Sequence, residues 1–120
     1  MTDPYNILAA LPHPVVAIDK DLQVGYANIS AEEFFGMSIG AMRRRSISSL
    51  FPFGSPVIEL IERCMEDGVS FNEYGIDFSM PPFGHNRVVD LQVAPSFLSE
   101  APEVILVIQL RSIAHKIDQQ

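Results

Sequence analysis

Chemistry in this sequence would depend on three histidines and one cysteine, which are its strongest metal-ligating and nucleophilic side chains. His13, His85 and His115 are far apart in the sequence, and Cys64 stands alone. The acidic residues are scattered and do not have the spacing of a metal site. The sequence also lacks a glycine-rich phosphate loop and a nucleophile elbow. We therefore expect no catalysis and no metal site.

Cys64 lies in a segment whose apolar residues recur at helical spacing, namely Val57, Ile58, Ile61, Cys64 and Met65. Ser55 is the predicted helix cap, Pro56 the first helical residue and Gly68 the end. We expect Cys64 to pack on the buried face of this helix, with redox sensing as the alternative. A single cysteine cannot form an internal disulfide, which agrees with the reducing cytoplasm.

The charge of the chain argues against two kinds of partner. Its 120 residues carry a formal net charge of -7, which disfavours binding to nucleic acid or to an anionic membrane surface. The longest apolar run, Val104 to Ile108, is too short to span a bilayer. Arg43, Arg44 and Arg45 form the one basic concentration, which we expect in an exposed loop, with docking of an acidic partner as the alternative.

The segment from Pro14 to Gly36 predicts a β-hairpin followed by a short helix. Strand-forming residues alternate on either side of a turn at Lys20 and Asp21: Val15, Val16 and Ile18 come before it, and Leu22, Val24 and Tyr26 after it. A polar stretch then precedes two phenylalanines and Gly36, a pattern typical of a helix that ends at a glycine.

Two signals predict where this helix starts. Ser30 and Glu33 have the spacing of a capping box, and Ile29 and Phe34 have that of a hydrophobic staple. We therefore predict Ser30 as the helix cap. Asn28 then lies just outside the helix, where its side chain can form hydrogen bonds across the exit of the hairpin. The alternative for Asn28 is an ordinary turn residue.

The second half of the sequence predicts three more strands. Apolar and polar residues alternate from Tyr74 to Met80 and again from Val89 to Val93, so these two segments form a second hairpin. The unbroken apolar run from Val104 to Leu110 predicts a strand that is buried on both faces near the middle of the sheet. Between Gly36 and Gly54 the pattern predicts only one or two helical turns, around residues 46–51.

Together these elements predict an α+β fold, a five-stranded antiparallel sheet with short helices on one face. Their order, and the run D-x-D-L-x-V-x-Y-A-N-x-x-A-E-x-x-F-G from Asp19 to Gly36, resemble the PAS domain family over nearly the whole chain. The residues that carry this fold signature are Asp19, Tyr26, Asn28, Ser30, Glu33 and Gly36. We divide the chain into an N-terminal helix (1–12), a PAS domain (13–112) and the start of a linker helix (113–120).

The resemblance to PAS domains implies which cofactors to look for. A haem-binding member would carry an axial histidine on the long helix, but the segment from Ser55 to Gly68 has none. The cysteine motif of flavin photosensors is also missing, so no cofactor is expected. Apolar residues could still line a ligand cavity between helices and sheet, although core packing explains them as well: Tyr26, Phe34, Phe35, Phe51, Ile61, Met65 and Phe78.

The segment from Asn6 to Leu11 before the first strand and the final segment from Val104 to Gln120 resemble the N-terminal sensor domain of NtrB-type nitrogen-regulation histidine kinases. Leu110, Ile113 and Ile117 have the spacing of a coiled-coil seam, and no helix-ending residue follows them. We expect a linker helix that continues to a missing output domain, with a short helix folded back on the sheet as the alternative. Apolar residues of the N-terminal helix would extend a homodimer interface: Ile7, Leu8 and Leu11.

This resemblance implies a regulatory and dimerisation domain of a cytoplasmic two-component sensor histidine kinase. The parent chain would phosphorylate itself on a downstream histidine and pass the phosphoryl group to a response regulator, under control of a PII-type protein. His115 does not match the phosphoacceptor, because Lys116, Ile117 and Asp118 follow it instead of the family's H-E-x-x-N-P pattern. The alternative function is a ligand- or cofactor-binding receptor domain of another signalling protein or transcription factor.

Overall fold

The structure is a computed structural model, and it describes residues 12–52, 54–78, 88–96 and 103–110. In this part of the chain one antiparallel sheet contains the strands β1 (Val15–Asp19), β2 (Val24–Ala27), β3 (Phe71–Asp77), β4 (Val88–Ser96) and β5 (Glu103–Leu110). The strand order is β2-β1-β5-β4-β3. The predicted five-stranded antiparallel sheet is therefore confirmed. The predicted N-terminal helix, apart from Pro12, and the predicted linker helix lie outside the described residues.

Strand β5 occupies the middle of the sheet, as its apolar sequence predicted. It pairs with β1, where Val15 lies opposite Val107, and with β4, where Leu91 lies opposite Ile108. The prediction that both faces of β5 are buried is wrong, since Ile105 and Val107 are only half-buried. β1 is the strand buried on both faces, because its residues 15–18 are fully covered.

Three helices and one 3-10 helix connect β2 to β3. They are α1 (Ile29–Phe35), α2 (Ile39–Arg43), the 3-10 helix (Ile47–Leu50) and α3 (Val57–Asp67). The 3-10 helix lies in the segment where a helical turn was predicted, but α2 was missed. Ser38 caps α2, because its hydroxyl accepts a hydrogen bond from the N–H of Ala41 at 3.2 Å. Arg43 consequently ends a helix and does not lie in a loop.

Helix α3 starts later than its capping signals predicted. It begins at Val57 with Pro56 at the N-cap, and no side chain caps it there, so the prediction of Ser55 as the cap is wrong. Pro56 still serves the start of the helix through its carbonyl, which accepts the N–H of Leu60 at 3.0 Å. The helix ends as predicted at Gly68, which has a left-handed φ of 68°.

The hydrophobic core lies between the helices and one face of the sheet. On the sheet side it contains the inward-facing residues of four strands, namely Val16, Ile18, Val24, Ala27, Val89, Leu91, Val93, Val104, Leu106 and Ile108. On the helix side it contains Ala31, Phe34, Met42, Ile47, Leu50, Val57, Leu60, Ile61 and Cys64. The prediction that the helices cover one face of the sheet is confirmed.

The edge strand β3 differs from its predicted alternation. It begins at Phe71, and its pairing with β4 shifts between Glu73 and Ile76. Gly75 has a φ of 68° at this bulge, and its N–H donates to a carboxylate oxygen of Asp90 at 2.8 Å. Tyr74 is 70% exposed as a result, although the sequence pattern placed it among the inward-facing residues.

Candidate functional site

Asn28 lies buried where β1, β2 and α1 meet, with only 2% of its surface exposed. Its Oδ1 accepts the backbone N–H of Val15 at 3.0 Å and that of Ala31 at 2.9 Å. Its Nδ2 donates to the carbonyl of His13 at 2.9 Å. One side chain therefore caps α1 and also ties the start of β1 to the end of β2. The predicted hydrogen bonds across the hairpin exit are confirmed.

The prediction of Ser30 as the helix cap is wrong. The helix starts one residue earlier, at Ile29, and the Ser30 hydroxyl donates to the carbonyl of Pro12 at 3.1 Å. Ile29 is 64% exposed, so the predicted hydrophobic staple with Phe34 does not form. The physical reason is that the short Asn28 side chain reaches the N–H of Ala31, which leaves no capping task for Ser30.

The acidic residue that connects α1 to α2 is Glu32, which the sequence reasoning missed. Glu33 is exposed, and the capping box it was predicted to form is replaced by the Asn28 cap. The Glu32 carboxylate instead accepts the N–H of Ile39 at 2.8 Å, at the first residue of α2. The capping signal that could have located this contact is Ser38, which precedes a helix start just after Gly36.

The other signature residues shape the turns around this junction. A carboxylate oxygen of Asp19 accepts the N–H groups of Asp21 and Gln23, at 2.9 and 3.1 Å, and so closes the first hairpin. Leu22 lies in this turn with a φ of 61°, not in β2 as predicted. Gly36 ends α1 with a φ of 68°.

The start of β1 lies beside the exit strand β5. The N–H of Ile108 donates to the carbonyl of Pro14 at 2.9 Å, and Val15 lies opposite Val107. Leu110, at the end of β5, is 45% exposed. The Asn28 junction therefore lies at the start of a strand that pairs directly with β5.

Four of the predicted pocket residues form a closed circuit of aromatic contacts. Ring centroids are 5.0 Å apart for Phe34 and Phe35, 5.7 Å for Phe35 and Phe51, 6.0 Å for Phe51 and Phe78, and 6.4 Å for Phe34 and Phe78. Ile61 belongs to the same core, and Met65 packs against it. These distances are those of packed aromatic pairs, so the rings fill the space between helices and sheet with one another.

Tyr26 does not join these rings. It pairs with Ala17, whose neighbours Val16 and Ile18 both face the core. Because successive residues of a strand point to opposite faces, this register places Tyr26 on the outer face of the sheet. The structure thus brings six of the seven predicted pocket residues together and places Tyr26 elsewhere.

The chain is similar to a known domain family and to proteins of known name. The model of the PAS fold matches residues 2–111. The chain belongs to the PAS family. This PAS domain is 45% identical over 114 residues to the sensory histidine kinase/phosphatase NtrB of Rhizobium meliloti (strain 1021), covering 95% of the chain and 30% of that protein. It is also 35% identical over 117 residues to NtrB of Azospirillum brasilense, covering 97% and 28%.

Solved PAS domains have the same fold. The PAS domain of nitrogen regulation protein NR(II) from Vibrio parahaemolyticus matches with a TM-score of 0.65 and 18% identity, covering 92% of this chain and 100% of that one. The PAS domain of BvgS from Bordetella pertussis matches with a TM-score of 0.64 and 17% identity, covering 95% and 87%. This chain spans about 30% of the length of the NtrB relatives it matches.

The cysteine and the described histidine of the PAS domain both lie in structural positions. Cys64 is fully buried in α3, and burial raises the pKa of its thiol. The thiolate is therefore disfavoured, which supports a packing role for this residue. His13 contributes its backbone carbonyl to the Asn28 junction, while His85 and His115 lie outside the described residues.

The residues that the structure describes contain neither a metal-ligand cluster nor a membrane-spanning helix. Among them, no group of three or more histidine, cysteine or acidic side chains is arranged to hold a metal ion. No helix in the same part of the chain is long and apolar enough to cross a bilayer.

Proposed function

We propose that this PAS domain is the regulatory and dimerisation domain of an NtrB-type sensor histidine kinase, acting in a cytoplasmic two-component phosphorelay for nitrogen regulation. The observation that carries the proposal is the similarity to NtrB proteins along nearly the whole chain. Those relatives are more than twice as long as the chain, so the kinase activity belongs to the parent protein and not to these residues.

The arrangement of the strands supports a mechanical role for the domain. The start of β1 and the exit strand β5 are hydrogen-bonded neighbours, and Asn28 ties β1 to the helices. A shift of α1 would therefore act on β1 and, through its ladder, on β5. In the proposal, a linker helix over 113–120 passes this shift to downstream kinase domains, whose phosphoryl group goes to a response regulator under control of a PII-type protein.

Dimerisation is the part of the proposal that can be tested on the isolated chain. Ile113 and Ile117, together with Leu110, are the proposed seam, extended by Ile7, Leu8 and Leu11. The Ile113→Asp and Ile117→Asp double variant should change the mass measured by light scattering from dimer to monomer. The matched control is Val69→Asp, which places a charge on a 49% exposed valine that follows α3. If the double variant is still a dimer, the proposed seam is not part of the dimer interface.

The regulatory part of the proposal is tested in the full-length parent protein, which contains the kinase domains. Autophosphorylation with labelled ATP should differ in rate between the wild type and Asn28→Ala, because the variant loosens β1 next to β5. Ser30→Ala is the control, since it removes the hydroxyl that contacts Pro12 and leaves the hydrogen bonds of Asn28 to Val15 and Ala31 in place. Equal rates for all three proteins would contradict a regulatory role for the Asn28 junction.

The closed circuit of phenylalanine contacts supports packing over a ligand cavity, and our proposal therefore includes no cofactor. An absorption spectrum of the purified chain, followed by mass spectrometry of material released on denaturation, tests this point. If a chromophore or metabolite is present in stoichiometric amount, the domain is a ligand receptor and our proposal is wrong on this point.

A further inference from the structure

Three consecutive arginines line a surface groove of about 570 Å³. The groove runs between the β1–β2 turn, the end of α2, the start of the 3-10 helix and α3. Arg43, Arg44 and Arg45 are all exposed. Its lining contains none of the phenylalanines of the aromatic circuit, although one lining residue, Ile47, belongs to the core.

The guanidinium groups in this groove retain most of their hydrogen-bonding capacity. Nη2 of Arg43 donates to the carbonyl of Gly25 at 2.7 Å, and Nε of Arg44 donates to the carbonyl of Gly40 at 3.2 Å. The Arg45 side chain makes no hydrogen bond or ion pair in the described part of the chain, where only its backbone N–H donates, to the carbonyl of Met42 at 3.1 Å. A guanidinium has five N–H donors, so each arginine can still present a free pair to an anion.

Charge makes this cluster unusual within its own chain. The sequence has a formal net charge of -7, yet none of the three arginines forms an ion pair with a described carboxylate. Three adjacent positive charges repel one another, and an anion placed among them would relieve that repulsion. Asp21 also lines the groove, at the hairpin turn, and its single negative charge leaves the lining with a net positive charge.

The apolar part of the lining narrows the class of ligand. Leu22, Ile47 and Ile58 line the same groove, and Ser46 and Ser48 add hydroxyl groups. An inorganic anion would use the arginines and leave the aliphatic surface uncovered. A single-stranded nucleic acid would stack its bases on aromatic side chains, and no aromatic residue lines the groove, while the net charge of -7 disfavours a duplex. The combination fits a peptide segment that carries both carboxylates and aliphatic side chains.

We propose that this groove is a docking site for a protein segment in which aspartate or glutamate alternates with leucine-like residues. The carboxylates pair with the free guanidinium edges, and the aliphatic side chains cover the half-buried Leu22 and Ile58. The inference rests on the groove alone and is independent of the proposed kinase function.

The test is an NMR titration of the ¹⁵N-labelled 120-residue chain with the synthetic peptide EELEELEEL at low salt. We expect shifts of the backbone amides at residues 22–23 and 43–48, and weaker binding in roughly 0.5 M NaCl because salt screens the charges. Arg45→Gln, which breaks no side-chain hydrogen bond or ion pair in the described part of the chain, should raise the Kd severalfold. The triple variant of Arg43, Arg44 and Arg45 to Gln should raise it about tenfold or more.

The control variant is Arg63→Gln. Arg63 lies over the ring of Phe71, 4.9 Å from its centroid, outside the groove, so its loss should leave the Kd unchanged. Three results would overturn the proposal: no shifts at millimolar peptide, an unchanged Kd for Arg45→Gln, or equally tight binding of the peptide EEGEEGEEG, which lacks leucine. Tighter binding of pyrophosphate at the same amides would assign the groove to phosphate ligands instead.

Discussion

The side-chain oxygen of Asn28 and the backbone N–H of Val15 form a hydrogen bond of 3.0 Å that joins the end of β2 to the start of β1. The same oxygen caps α1 through Ala31. Because both N–H groups depend on one buried atom, the helix start and the strand start cannot shift independently. This coupling makes Asn28 the residue on which the local geometry most depends.

Removing the Asn28 side chain should therefore be costly. Asn28→Ala leaves the N–H groups of Val15 and Ala31 without their acceptor and the His13 carbonyl without its donor. We expect a loss of about 1–3 kcal/mol in the free energy of unfolding, measured by urea denaturation. Ser30→Ala, which loses one contact with Pro12, should cost less than about 1 kcal/mol. Equal losses of unfolding free energy for the two variants would contradict the assignment of Asn28, and not Ser30, as the cap of α1.

The end of α1 should depend on backbone conformation alone. Gly36 has a φ of 68°, and an added methyl group would meet no atom within 4 Å. Gly36→Ala should therefore lower the free energy of unfolding by about 1 kcal/mol through backbone strain. Gly25→Ala is the matched control, because Gly25 lies in β2 without a left-handed φ and its added methyl group would make only an ordinary contact, 3.9 Å from the oxygen of Ala17. Its effect should be neutral or slightly stabilising.

The phenylalanine circuit should behave as packed core. Phe78 is fully buried and contacts the rings of both Phe34 and Phe51. Phe78→Ala should cost about 3–5 kcal/mol in chemical denaturation. Tyr74→Ala removes an aromatic ring that is 70% exposed and should cost less than about 0.5 kcal/mol. A small effect at Phe78 would indicate an open cavity there and would revive the ligand-receptor function.

The buried thiol should make stability depend on alkaline pH. Burial raises the pKa of Cys64 in the folded state above its ordinary value of 9.0, so the folded state holds the proton more tightly than the unfolded state. This contribution to stability is fully present below the unfolded pKa and is lost as pH rises through the folded pKa. Urea denaturation at a series of pH values above neutrality should show a steeper loss for the wild type than for Cys64→Ala. Parallel curves of stability against pH for the two proteins would contradict a contribution from Cys64 ionisation.

Much of the fold could be predicted because its elements have strong periodic patterns. The apolar run of β5 indicated a central strand, and the spacing in α3 indicated a helix that ends at Gly68. Burial on the second face of β5 could not be predicted, because it depends on which strand the helices and other segments cover. The missed helix α2 has only five residues, too few for a clear period.

The capping errors have a common cause. Ser30 and Ser55 both satisfy local rules, but a nearby residue occupies the N-cap in each case: Asn28, whose Oδ1 accepts the N–H of Ala31, and Pro56. The sequence reasoning recognised that Asn28 contacts the preceding hairpin but not that the same oxygen also serves Ala31. The pocket residue Tyr26 was misplaced because its orientation depends on the β1–β2 register, which shifts between Ala17 and Ile18.

The position of β5 has a consequence for how the protein is made. Among the described strands, the one at the centre of the sheet is synthesised last, after both outer pairs, β2-β1 and β4-β3. Until β5 leaves the ribosome, β1 and β4 have no strand between them, and their facing edges stay unpaired. Folding is therefore completed after translation of this segment, and a nascent chain that stalls before Glu103 exposes two sheet edges on which chaperones or aggregation can act.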